Sequence, residues 1–201
     1  MKKAAALLPL LLLLTAPSSA TTLTFDEFGS SPLVNVDGLH AFGLTFHFTG
    51  GTADYNAAIG TSGAAVLVTD PLLSGPTTGT LTLDFDVATP TLDFDVVLLS
   101  FDTLSSGYTV TLDGGASSPQ TTAPQPGGLF SEGAFHYAGT AISSASITFF
   151  SGLDSFGGSV NAFGLDNLSF DPPGETPEPA TWFLLTGGLL AFATLRQRQA
   201  R

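Results

Sequence analysis

Cysteine is absent from the 201 residues. Disulfides, thiolate zinc sites, a lipid-modified cysteine and a cysteine nucleophile are therefore excluded. The folded part must be held by its core, by bound ions, or by both. Basic residues are almost as scarce, and where they stand matters more than how few they are. Lys2, Lys3, Arg196, Arg198 and Arg201 all lie near the ends, whereas all 17 acidic residues fall between Asp26 and Glu178. The net charge of −12 thus hides an interior with no lysine or arginine at all. Such a surface cannot neutralise phosphate, which excludes nucleic acid as a partner. It repels anionic partners unless a cation bridges the two. The acidity reads either as a solubilising coat or as a cation-binding surface.

The signatures of catalysis are missing too. No Gly-x-Ser-x-Gly elbow occurs. His40, His47 and His136 do not stand at zinc-ligand spacing, and His47 and His136 suit the polar faces of strands. Carboxylates do pair: Asp84 with Asp86, and Asp93 with Asp95, each two apart and so on one face of a strand. A glycosidase needs two carboxyls opposed across a sugar. Neighbours on a sheet read instead as a solvated face, a cation site or, least simply, a dyad. Should the two strands pair across a turn near Thr89-Pro90, all four carboxylates would converge. The expectation is a protein that is not an enzyme.

What is present begins with two terminal addresses. Lys2 and Lys3, a short apolar run over residues 4–14 and the small residues Ser18-Ser19-Ala20 form an export signal over 1–20, with cleavage after Ala20. At the other end, Pro177-Glu178-Pro179 closes a Pro/Gly/acidic linker over residues 172–179. An uncharged segment, 180–195, and a basic end, 196–201, follow. As a helix the segment covers about 24 Å, a little short of the ~30 Å hydrocarbon core. Trp182 suits the interface, and the basic residues at both ends suit the cytoplasmic side. The acidic interior is then outside the cell.

In this order, Pro-Glu-Pro, Ala-Thr-Trp, apolar segment and basic end, the tail over 177–201 closely resembles the PEP-CTERM sorting signal. The resemblance implies an exosortase, a membrane enzyme akin to cysteine transpeptidases, as the partner that recognises and cleaves the tail. It implies transient anchoring in the inner membrane through a C-terminal transmembrane helix, and a Gram-negative producer of extracellular polysaccharide.

Residues 21–171 read as one acidic domain. Leu81, Leu83, Phe85 and Val87 alternate with Thr82, Asp84 and Asp86, and residues 92–96 repeat the pattern. Further strands are predicted at 22–25, 44–48, 64–68, 108–112, 134–137, 146–150 and 165–170. Helical periodicity is lacking. The fold class expected is all-β, an antiparallel, jelly-roll-like β-sandwich whose 17 phenylalanines mostly fill the core. The Ser/Thr- and Pro-rich stretch 116–125 reads as a mobile loop.

Thr24-Phe25-Asp26-Glu27 at the opening and Phe163-Gly164-Leu165-Asp166-Asn167 near the close resemble PEP-CTERM proteins and jelly-roll carbohydrate-binding modules. In those modules the first and last strands are neighbours and their acids often hold a structural Ca²⁺. The resemblance implies a metal site using Asp26 or Glu27 with Asp166, with calcium as the one cofactor, and Ca²⁺ takes six to eight oxygens including such carboxylates. The function expected is that of an exported surface or matrix protein, associated with biofilm or exopolysaccharide and processed by exosortase. The alternative is a calcium-dependent carbohydrate-binding module. Only three tyrosines and one tryptophan occur, which leaves few of the flat aromatics that sugars usually stack on.

Overall fold

The computed structural model describes residues 20–28, 34–57, 67–68, 71–125 and 129–171. The export signal, the linker, the segment 180–195, the basic end and most of the strand predicted at 64–68 lie outside them. Among the described residues no helix is long and apolar enough to cross a membrane.

The chain forms strands β1 (Thr21–Leu23), β2 (Val34–Asn35), β3 (His40–Ala41), β4 (Leu44–Thr49), β5 (Asp54–Ala57), β6 (Leu72–Pro76) and β7 (Thr80–Leu98). They are followed by β8 (Leu104–Leu112), β9 (Ser117–Pro124), β10 (Ser131–Phe149), β11 (Gly152–Leu153), β12 (Ser159–Val160) and β13 (Ala162–Phe170). One 3₁₀ turn, Asp26–Phe28, is the only helical element among the described residues. The strand pairings are antiparallel.

Two long strands organise the domain. The first half of β7 pairs with β4, from Thr80 opposite Thr49 to Phe85 opposite Leu44. Its second half pairs with β13, from Leu92 opposite Phe170 to Leu98 opposite Phe163. β10 runs along the other edge of both halves, with register breaks between Ala138, Ile142 and Ser144. There the ribbon changes layer. β8 continues the first layer from residues 145–149 of β10, and β6 and β1 continue the second from β13.

Rings from the two layers meet in between. Phe149 stacks on Phe163 at 3.7 Å, Phe48 lies 5.8 Å from Phe163, and Phe85 lies 5.2 Å from Phe170. The two contacts to Phe163 join strands that share no backbone ladder, β10 and β4 with β13, so side-chain burial holds the layers together there. The inward set on β7 is the one its alternation predicts, Leu81, Leu83 and Phe85, then Leu92, Phe94 and Val96. Val87 does not join it and is exposed.

Two expectations need correction. The segments at 81–87 and 92–96 are not two strands joined by a turn at Thr89-Pro90 but halves of β7. Proline gives no N–H to a ladder, and strands tolerate it at irregularities. Pro90 falls where the register with β10 shifts, and Thr89 Oγ1 donates to Thr91 O at 2.8 Å. The stretch 116–125 is no loop; most of it is β9. That strand pairs with β8 along most of its length and with the start of β10 at Ala123 and Pro124.

Candidate functional site

Ala20 is exposed and directly precedes Thr21, the first residue of the domain to pair, opposite Phe170. Pro177, Glu178 and Pro179 lie outside the described residues.

The carboxylates of β7 do not converge, because one strand spreads them along its outer face. Each has its own neighbour. Asp86 Oδ2 lies 2.9 Å from His40 Nε2. Asp84 Oδ2 lies 3.7 Å from His47 Nε2, whose Nδ1 is 3.6 Å from Asp37. Asp93 pairs with His136, directly opposite it on β10. All three histidines thus face aspartates on exposed surfaces, which the sequence reading missed. The signal was in the register: His47 and His136 lie on strands that pair with β7, and His40 lies on β3, one strand further out.

Asp95 accepts from Asn167 Nδ2 at 3.0 Å. Its carboxyl is held above its ordinary range, chiefly by burial, with the Asn167 bond opposing and the Asp93 charge adding. Opposite it on β13 stands Asp166, fully buried, whose Oδ1 accepts from the N–H of Asn167 at 2.7 Å. Asn167 sits at φ 52°, in the register break of β13. This is a β-bulge, and asparagine is one of the few residues that accept its left-handed backbone. Asn167 Nδ2 also donates to Leu67 O at 2.8 Å, and Leu67 N donates to Glu132 Oε2 at 3.1 Å. The bulge and Glu132 together fasten a passing segment to the outer face of the sheet.

Asp26 and Glu27 stand in the 3₁₀ turn after β1. Glu27 accepts from Thr24 N and Oγ1, and Asp26 accepts from Thr24 Oγ1. β1 does pair with β13. Even so, among the described residues no three His, Cys, Asp or Glu side chains gather as a metal site would need, so Asp26, Glu27 and Asp166 are not brought together.

Two other aspartates build a clasp between the β7–β8 loop and the β11–β12 hairpin. Asp154, almost wholly buried, accepts from Phe101 N at 3.4 Å, Phe156 N at 3.1 Å and Gly158 N at 2.6 Å. Asp102 answers from the other loop, accepting from Ser155 N at 3.0 Å and Thr103 N at 2.8 Å. Hydrogen bonds from Ser155, then from Thr103, hold the Asp102 carboxyl below its ordinary range. In the core, burial pushes the Tyr108 phenol up, the Asp95 charge adds to this, and its hydroxyl has no partner among the described residues.

Residues 175–199 match the profile of the PEP-CTERM protein-sorting motif. No curated protein matches the chain. Among solved structures, the K2 cleaved adhesin domain of Lys-gingipain is similar at 12% identity and a TM-score of 0.43, covering 78% of this chain and 99% of that one. A variant of a family 29 carbohydrate-binding module is similar at 11% identity and 0.40, covering 80% and 99%. An exo-β-1,3-galactanase from Phanerochaete chrysosporium follows at 14% and 0.35, covering 70% and 29%. These likenesses are too weak to add to the argument, and the fold rests on the strand pairing itself.

Proposed function

From a chain that bears a PEP-CTERM protein-sorting motif at residues 175–199, and is thereby exported with a C-terminal membrane-anchoring tail, we propose a non-enzymatic protein of the cell surface or extracellular matrix. An exosortase recognises Pro177-Glu178-Pro179 at the membrane and removes the apolar segment that follows. The β domain is then delivered into the polysaccharide outside the cell, as part of a biofilm or exopolysaccharide layer. The observation that carries this reading is the motif itself. Two prolines around Glu178 keep that segment extended and outside any helix, which suits an enzyme that must grip backbone beside a bilayer.

The domain supports a role other than catalysis. Its paired carboxylates lie along one strand, each against its own histidine or asparagine, rather than opposed across a cleft. The test is replacement of Glu178 and Pro179 by alanine in a host that encodes an exosortase. Uncut precursor should accumulate in the membrane fraction. Unchanged processing and surface delivery would refute the sorting role.

A further inference from the structure

Six large apolar side chains are exposed among the described residues, and half of them lie on the two clasped loops: Phe101, Leu153 and Phe156. Phe156 is 76% exposed. A phenylalanine on a loose loop can fold down onto the protein. Here the backbone beneath the two phenylalanines is held in place. The amides of Phe101 and Phe156 both donate to the same Asp154 carboxylate, and Ser155 N ties the hairpin back to Asp102. Gly157, at φ 79°, donates to Asp154 O at 3.0 Å and closes the turn. Two rings are thus presented to solvent on a preorganised backbone, which lowers the cost of ordering a binding surface there.

The chemistry around the rings selects the ligand. Beside them stand the Asp102 carboxylate, able to accept from hydroxyls, and no cation, because the interior of the chain has no lysine or arginine. Anionic polymers and anionic membranes are repelled. The clasped loops follow Leu98 and precede Ala162, at the end of β13 where Phe163 faces Leu98. The chain leaves for the sorting motif from the other end, after Phe170, about 27 Å along the strand.

We propose that Phe101 and Phe156 form a stacking platform for a neutral polysaccharide, with Asp102 accepting hydrogen bonds from its hydroxyls. The apolar face of a sugar ring covers the phenylalanines while its equatorial hydroxyls reach the carboxylate. The proposal names the matrix component met by the exported domain, and so rests on the reading above.

The experiment uses the full chain, purified in detergent. Its probes are insoluble β-1,3-glucan, cellulose and soluble galactan as neutral polymers, and alginate as an anionic one. Depletion and calorimetry should show binding to at least one neutral polymer, none to alginate, and no change in EDTA. Phe101→Ala and Phe156→Ala should each weaken binding at least tenfold with unchanged melting temperature, while Phe156→Tyr retains it. Phe42→Ala should bind as the parent does. Phe42 is also exposed, but it adjoins Leu44 at the end of the sheet where Phe85 meets Phe170. Absence of neutral-polymer binding, or parental affinity in the Phe101→Ala/Phe156→Ala double variant, overturns the proposal. Binding here does not depend on sorting, so intact binding beside failed tail processing would count against the sorting role alone.

Discussion

Asp95 shows what a charge costs on a sheet that no basic residue covers. Burial lifts its pKa in the fold, so its contribution to stability is fully present below the unfolded value of about 3.9 and is lost as pH rises through the folded value. At neutral pH the ionised group is a liability, only partly relieved by Asn167. Asp95→Asn removes the charge and keeps an oxygen for the Asn167 amide. Thermal unfolding at pH 7 should show the variant melting a few degrees above the parent, with the gap closing towards pH 3.5. A variant that melts lower at pH 7 would mean that the carboxylate is needed ionised. Asp102 has the opposite sign. Its lowered pKa gives stability above the unfolded value, lost as pH falls through the folded one. That these two aspartates differ was not legible in the sequence, because the difference comes from the burial of Asp95 in the folded sheet and from Ser155, which is distant from Asp102 in the chain. Asp166 was expected from the resemblance as a calcium ligand; the structure places it opposite Asp95, beside the Asn167 bulge.

Among elements, the alternation of apolar and polar residues identified most of the strands, because a half-buried strand writes its two faces into every second position. It could not say that residues 80–98 form one strand. Continuity past Pro90 depends on the ladder offered by β10, and β10 lies some fifty residues downstream. For the same reason β9, mostly Ser, Thr and Pro, looked like a loop: its backbone pairs with β8 while its side chains signal little. The clasp between the β7–β8 loop and the β11–β12 hairpin was likewise hidden. It supports an element-scale prediction. Asp154→Ala leaves three backbone N–H groups without their acceptor, at a cost of about 2–3 kcal/mol. Urea unfolding should show that loss, and hydrogen exchange should show Phe101, Phe156 and Gly158 losing protection together. Protection retained at Phe101 would mean that the two loops are not joined through Asp154.

At the scale of the whole molecule, charge and address belong to different parts of the chain. Fifteen of the seventeen acids lie in residues 21–171, which hold no lysine or arginine, so the domain repels other anions, while lysine and arginine are confined to the two ends of the chain. The tail was the most legible part of the sequence, because a sorting signal is read as a linear order of residues and needs no fold to be recognised. The ligand platform was the least legible, since nothing in the spacing of Phe101 and Phe156 tells that both are exposed and tied to one carboxylate. The central claim, that the tail is a processed sorting signal, is tested most directly by the C-terminus of the mature protein. Mass spectrometry of the form released or displayed by an exosortase-containing host should find the chain ending close to Pro177-Glu178-Pro179, with the segment 180–195 gone. A surface-displayed or extracellular form that still ends at Arg201 would contradict it.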